Sequence, residues 1–211
     1  MSVNKIDALV ADLTPIRLVS PRDGFALMAM ATMIAVALVA LMFGIRGDVM
    51  DGTPDPIVIV RAGILFILGL AAVSAVIASA RPGVGQRNTG WRWALAAASM
   101  FPLTSAVLAM VNRQEALAEA SSVTGLWCLG ISGVSALFIG GLLTFWLRQG
   151  APTAINRTSW LVGLAAGSFG TLAYSLHCPS TTVYYVGLWY TLAILLSAVT
   201  ARLIVPRLIA W

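Results

Sequence analysis

Two cysteines and the single histidine are the side chains of this chain best suited to bind a soft metal ion or to undergo oxidation. Cys128 and Cys178 are far apart in sequence, and His177 directly precedes Cys178. Thiolate and imidazole groups suit zinc and copper, and two thiols form a disulfide in an oxidising compartment. A structural interpretation is also open, in which Cys128 packs as a small apolar residue and His177 is a satisfied interfacial one.

Motifs for other chemistry are missing from the sequence. It contains no HExxH, GxSxG, P-loop or CxxC pattern. Without a closely spaced dithiol, a quinone-linked disulfide oxidase is a poor fit. We therefore expect a protein that is not an enzyme and has no cofactor, apart from a transient metal at Cys128 and Cys178.

The composition shows which elements must position these residues. Of 211 residues, 59% are hydrophobic and only 10% are charged, whereas soluble domains average about 25% charged residues. This excludes a soluble globular protein and a disordered tail. The formal charge of +5 does not require a nucleic-acid partner, because cytoplasmic loops of membrane proteins collect Lys and Arg.

Six apolar runs without a charged residue have the length that a helix needs to cross about 30 Å of hydrocarbon. They do not alternate with period two, so a membrane β-barrel is not expected. The sequence predicts an all-α integral membrane protein with six transmembrane helices, in which residues 24–211 form the bundle. The runs are Phe25–Ile45, Ala62–Ala80, Trp93–Val111, Gly125–Leu147, Ser159–Leu176 and Val183–Ala201.

The positions of the basic residues predict the orientation. If the N-terminus is cytoplasmic, every loop obeys the positive-inside rule, so both termini should be cytoplasmic. Cys128, near the outer end of the fourth span, and Cys178, just past the outer end of the fifth, then share the outer face. The bases placed inside are Lys5, Arg17, Arg22, Arg81, Arg87, Arg92, Arg148, Arg157, Arg202 and Arg207.

The first 23 residues form a cytoplasmic amphipathic segment. Apolar residues recur there at i, i+3, i+4 and i+7, which predicts one stripe of a short helix that ends at Thr14–Pro15. About three turns are too few to be stable alone in water. We expect the helix to lie on the bilayer or to dock in a groove of a cytoplasmic partner. The stripe consists of Ile6, Leu9, Val10 and Leu13, and Asp7 and Asp12 lie away from it.

Transporters usually keep ionisable residues at membrane depth, and the predicted spans contain none. Pro102 is expected to be a tolerated kink. Gly163 and Gly167 form a GxxxG pattern, which predicts close helix packing within the bundle or, alternatively, a homodimer contact. Most Trp and Tyr residues lie near predicted span ends, where we expect them to anchor the chain at the interface.

Several segments together resemble the NrsF family of six-span bacterial inner-membrane proteins, negative regulators of a sigma factor of the extracytoplasmic-function (ECF) type. The most specific are Arg148-Gln149-Gly150-Ala151-Pro152 and Tyr174-Ser175-Leu176-His177-Cys178-Pro179. Others are Ile6 to Leu13 before Pro15, Trp189-Tyr190 and Trp211. The resemblance covers essentially the whole chain, and Cys128 falls where the family places its first cysteine.

The resemblance implies a transmembrane anti-sigma factor whose N-terminal helix sequesters an ECF sigma factor. The contact would be made by Ile6, Asp7, Leu9, Val10, Asp12 and Leu13. It also implies that Cys128 and Cys178, with His177, sense a periplasmic metal or oxidant. Direct nucleic-acid binding is not implied. Two alternatives stay open: a small transporter or metal exporter, and a purely structural membrane subunit.

Overall fold

A computed structural model describes residues 20–80, 89–150, 152 and 154–209. Within these residues the chain is helical and contains no strand. The helices are α1 (Pro21–Phe43), α2 (Gly47–Met50), α3 (Pro56–Ser79), α4 (Gly90–Val111), α5 (Arg113–Ala120), α6 (Val123–Leu147), α7 (Ile155–Ser175), α8 (Val183–Tyr185) and α9 (Thr191–Ile209), with a π-helical turn at Val186–Tyr190 that joins the last two.

Local signals explain several helix ends. Asp55 accepts a hydrogen bond from the Ile57 backbone N–H at 3.0 Å, and Pro56 occupies the first turn of α3, as is common at helix N-termini. α1 ends at Gly44, whose φ of 82° lies in the left-handed region that glycine adopts readily.

Five helical stretches in the described residues are long and apolar enough to cross a membrane: Pro21–Phe43, Pro56–Ser79, Trp91–Val111, Val123–Leu147 and Val183–Ile209. They match five of the six predicted spans. The sixth, Ser159–Leu176, corresponds to α7, which has 21 residues but is not among these five. The prediction of an all-helical chain is therefore confirmed for the described residues, five of whose helices could span a membrane. The count of six spans and the orientation stay predictions.

α7 lies at the centre of the bundle. It packs against α9, α6, α3 and α1, and most of its residues are buried. Ser159 and Ser168 donate to the carbonyls of Ile155 and Leu164, four residues earlier, at 2.7 Å each. These internal hydrogen bonds satisfy polar side chains where no water is available.

The GxxxG pattern is used for this packing. A Cβ atom at Gly163 would meet the backbone of Ala198, and one at Gly167 would lie 3.0 Å from Cα of Ile194. Both contacts join α7 to α9, so the prediction of close packing within the bundle is confirmed. On α6, by contrast, Gly133 faces open space.

Candidate functional site

Cys178 lies in the loop of residues 176–182 that follows α7, which we call the Cys178 loop. The backbone N–H groups of His177 and Cys178 both donate to the Tyr174 carbonyl, at 2.9 and 3.0 Å. Pro179 then lacks the N–H that another helical turn would use. The local sequence therefore ends α7 and places Cys178 at its end.

The structure brings the two predicted cysteines into one buried cluster. Cys128 lies in the second turn of α6, and both thiols are free and fully buried. The Cys128 sulfur lies 4.0 Å from the Ser132 hydroxyl oxygen, and the Cys178 sulfur 4.0 Å from the Ser180 carbonyl oxygen. This cysteine cluster consists of Leu65, Cys128, Tyr174, Cys178, Tyr185, Val186, Trp189 and Tyr190.

His177 is directed to a different neighbour. Its Nδ1 atom lies 3.1 Å from the Gly44 carbonyl oxygen, and its ring lies against those of Phe43 and Tyr174, with centroids 5.6 and 5.9 Å apart. In the part of the chain that the structure describes, no three His, Cys, Asp or Glu side chains are grouped so that they could hold a metal ion. Cys128, His177 and Cys178 therefore do not form a metal-binding group in this conformation. Metal binding by Cys128 and Cys178 stays a prediction.

Arg61 belongs to the candidate site, although the apolar pattern of the sequence does not point to it. The expectation that no ionisable side chain lies within a span is wrong here, because α3 begins at Pro56 and places Arg61 in its second turn, fully buried. Its guanidinium donates to the carbonyls of Ser180 at 2.6 Å, Ser175 at 2.8 Å and Cys178 at 3.2 Å. Asp55 followed by Pro56 is a helix-capping pattern, and it indicates that the helix starts before the apolar run.

A second arginine binds the same loop. Arg46 donates to the carbonyls of Cys178 at 2.7 Å and Pro179 at 3.0 Å. It also pairs with Asp48 at 2.8 Å. This hydrogen bond from Arg46 holds the pKa of the Asp48 carboxyl at about 2. The Cys178 carbonyl is therefore shared by guanidinium groups from two different segments of the chain.

Aromatic residues complete the walls of the cysteine cluster. The Tyr185 hydroxyl donates to the Thr124 carbonyl and the Trp189 indole N–H to the Glu119 carbonyl, both at 3.0 Å. Gly125 provides the space for the Trp189 ring. The expectation of interfacial anchoring is therefore wrong for these residues, which are buried inside the bundle.

The six residues predicted to contact a sigma factor lie outside the described residues. They are Ile6, Asp7, Leu9, Val10, Asp12 and Leu13.

Comparisons with known proteins identify the family. A family model described as "NrsF: Negative regulator of sigma F" matches residues 9–211. The chain belongs to the NrsF family. Among NrsF relatives, the anti-sigma-F factor NrsF of Caulobacter vibrioides is 31% identical over 202 residues, which cover 90% of this chain and 90% of that protein. The probable anti-sigma-F factor NrsF of Azospira oryzae is 23% identical over 180 residues, covering 84% and 83%. No solved structure matches the chain.

Proposed function

We propose that this NrsF-family chain is an anti-sigma factor that holds an ECF-type sigma factor at the bacterial inner membrane and releases it on a periplasmic metal or redox signal. Membership of a family of negative regulators of sigma F supports the sequestering activity. One structural observation carries the sensing step: Cys128 and Cys178, distant in sequence, share one buried cluster. In this proposal, as predicted from the sequence, the chain has six spans, both termini are cytoplasmic and both thiols lie near the outer face.

The sigma factor binds the stripe of the N-terminal segment in this proposal, with Leu9, Val10 and Leu13 as apolar anchors and Asp7 and Asp12 facing basic surfaces. The test is an affinity pull-down of the detergent-solubilised chain from its own bacterium, with bound proteins identified by mass spectrometry. Leu9→Asp/Leu13→Asp should lose the sigma factor.

A matched control adds the same two charges to the opposite face of the predicted helix. Ala8→Asp/Ala11→Asp should retain the sigma factor, because both positions lie away from the stripe. If both variants bind like the native chain, the contact lies elsewhere, for example in the segment from Arg81 to Arg92. If the native chain captures no sigma factor, the sequestering activity is refuted.

Two chemistries are open for the cysteine pair. A soft metal ion would be held by both sulfur atoms with release of their two protons. Alternatively, a diamide-type oxidant would accept the two thiol hydrogens as the S–S bond forms. Diamide treatment of the purified chain should remove both free thiols without producing a dimer. If Cys128→Ser/Cys178→Ser leaves the transcriptional response to metal and oxidant intact, the sensing step is refuted.

A signal at the Cys178 loop has a structural route to other helices. The loop follows α7 and is bound by Arg61 of α3 and by Arg46 after α1. A metal or disulfide at the cysteines must favour one conformation of the bundle over another, since a ligand that binds both equally shifts nothing. In this proposal the favoured conformation releases the sigma factor.

The transporter alternative gains one observation, because Arg61 is a charged residue buried within a membrane helix. Its guanidinium, however, binds three backbone carbonyls of the Cys178 loop and α7, which is a structural use. Metal uptake or efflux by the purified chain in liposomes would favour the transporter. If deletion of residues 2–23 changes no transcript, a purely structural subunit is favoured.

A second copy of the chain is the other proposed partner in the membrane. Gly163 and Gly167 are occupied by α9, which leaves the open face of α6 around Gly130, Gly133 and Gly141 for such a contact. Gly133→Leu should then abolish cross-linking of two copies in native membranes, because the larger side chain would keep the second copy away from this face.

A further inference from the structure

The Cys178 loop is the part of the cysteine cluster that lies next to the surface. Cys178 is 0% exposed, whereas the next residue, Pro179, is exposed. The other residues of the cluster belong to α3, α6, α7, α8 and the π-helical turn, whose backbone groups are paired within the helix. The loop can therefore open at a lower cost in broken helical hydrogen bonds than the rest of the wall.

Both cysteines need such an opening before they can react. Cys128 is also 0% exposed, so a dissolved reagent or metal ion has no direct path to either sulfur in this conformation. Buried groups react through transient local opening, and the rate then follows the population of the open form. The contacts that hold the loop closed therefore set that rate.

Arginine side chains hold the carbonyl groups of the loop. Arg61, which is fully buried, donates to the carbonyls of Ser180 and Cys178. Arg46 donates from a more accessible position to the carbonyls of Cys178 at 2.7 Å and Pro179 at 3.0 Å. The contacts of Arg46 are thus the ones that an event at the surface reaches first.

Residues 44–48, which we call the clamp segment, make two further contacts with the end of α7 and the loop. The Arg46 backbone N–H donates to the Leu176 carbonyl at 3.1 Å. The Gly44 carbonyl oxygen lies 3.1 Å from Nδ1 of His177. The clamp segment therefore follows the loop over several residues and does not touch it at a single point.

Asp48 fixes the direction of the Arg46 side chain. Its carboxylate accepts hydrogen bonds from Nε and Nη2 of Arg46, at 2.8 and 2.9 Å. Nη1 of Arg46 is the atom that donates to the two loop carbonyls. Asp48 is therefore a positioning residue for the contact between Arg46 and the loop.

We propose that the clamp segment regulates access to the cysteine pair. While it is bound, the Cys178 loop stays closed and both thiols are protected from metal ions and oxidants. Release of the Arg46 side chain removes two hydrogen bonds that only the closed loop makes, so the open form becomes more populated. The proposal rests on the sensing role in the proposed function, because the clamp would set the signal strength at which the cysteines react.

Alkylation by N-ethylmaleimide measures this access directly in the full chain in detergent micelles. The reagent is uncharged, and its double bond takes up the thiol sulfur and hydrogen. Mass spectrometry follows the reaction in Cys128→Ser, where only Cys178 can react, and in Cys178→Ser, where only Cys128 can. Arg46→Met should speed alkylation of either cysteine about threefold to fivefold, in line with the loss of two partly exposed hydrogen bonds. Asp48→Asn should cause a smaller increase, because Arg46 is still present but less firmly oriented.

Two control variants separate the clamp from charge and from overall stability. Arg113→Met removes an equal charge from an exposed position at the start of α5 and should leave both rates unchanged. Gly163→Ala disturbs the contact between α7 and α9, which an opening of the loop does not break. It should therefore speed alkylation less than Arg46→Met does.

The proposal is overturned if Arg46→Met leaves both alkylation rates unchanged, or if Gly163→Ala speeds them as much as Arg46→Met. The first result would mean that the thiols are reached by another opening, and the second that they react only from the unfolded chain. Should Arg46→Met not fold, Asp48→Asn decides by the same comparison. Because alkylation requires no sigma factor, its outcome is separate from the transcriptional test of the cysteines.

Discussion

Arg61→Met should lower the free energy of unfolding by about 3 kcal/mol. The carbonyls of Ser175 and Ser180 would lose their guanidinium donor in a place with little water. Each carbonyl left without a donor costs roughly 1–3 kcal/mol. Methionine keeps much of the apolar contact of the side chain and relieves the cost of burying a charge, which places the net effect below the sum. The Cys178 carbonyl keeps a partner, since Arg46 also donates to it.

Arg46→Met is the matched comparison, because it removes a guanidinium that binds the same loop from a more accessible position. The Arg46 side chain is 14% exposed, and its bond to the Pro179 carbonyl is exposed, so water replaces it. The loss should be about 1 kcal/mol or less, as for surface ion pairs.

Reversible unfolding by SDS in mixed micelles measures both variants against the native chain. The reasoning is refuted if Arg61→Met is as stable as the native chain, or if Arg46→Met costs as much as Arg61→Met. Either result would mean that burial does not set the strength of these bonds.

Two further predictions concern packing and pH. Gly163→Ala should destabilise the chain by about 1–3 kcal/mol, the usual cost of overpacking, because the new methyl meets the Ala198 backbone. Gly63→Ala meets open space and should be neutral or slightly stabilising. Unfolding of both variants by SDS tests this. Since the pKa of Asp48 is about 2 in the folded chain and about 4 when unfolded, its pairing with Arg46 should stabilise the fold fully above about pH 4 and be lost as the pH falls towards 2. The difference in thermal midpoint between the native chain and Asp48→Asn should therefore be constant from pH 8 to 5 and shrink below; a difference that shrinks already between pH 7 and 5 would contradict the assignment.

The membrane helices could be predicted because their signal is long and redundant. A run of about twenty apolar residues has few alternatives in a bilayer, where every backbone group must be satisfied internally. The fourth run, predicted as Gly125–Leu147, is observed as Val123–Leu147. The difference is larger at the second run, where α3 starts at Pro56 and not at Ala62, because Arg61 ends the uncharged run although its side chain is buried inside the bundle.

The proximity of the two cysteines could be predicted from the sequence, but the direction of the His177 side chain could not. Cys128 and Cys178 meet because antiparallel helices return the chain to the same end of the bundle, which topology alone implies. Adjacent residues in a turn, however, point in different directions. Cys178 faces the buried cluster, while His177 reaches the Gly44 carbonyl at the end of α1, and no sequence pattern specifies such a choice.

The low apolarity of α7 follows from its surroundings. A helix that contacts other helices on nearly all sides need not be soluble in lipid, and small residues let its neighbours approach closely. Gly163 and Gly170 serve this purpose towards α9 and α6, and Ser168 satisfies its hydroxyl on its own backbone. Hydropathy describes how readily side chains enter lipid, and α7 needs less of it than the five candidate spans because the other helices shield it from lipid. The helix that carries the Cys178 loop is thus the one in contact with most of the bundle.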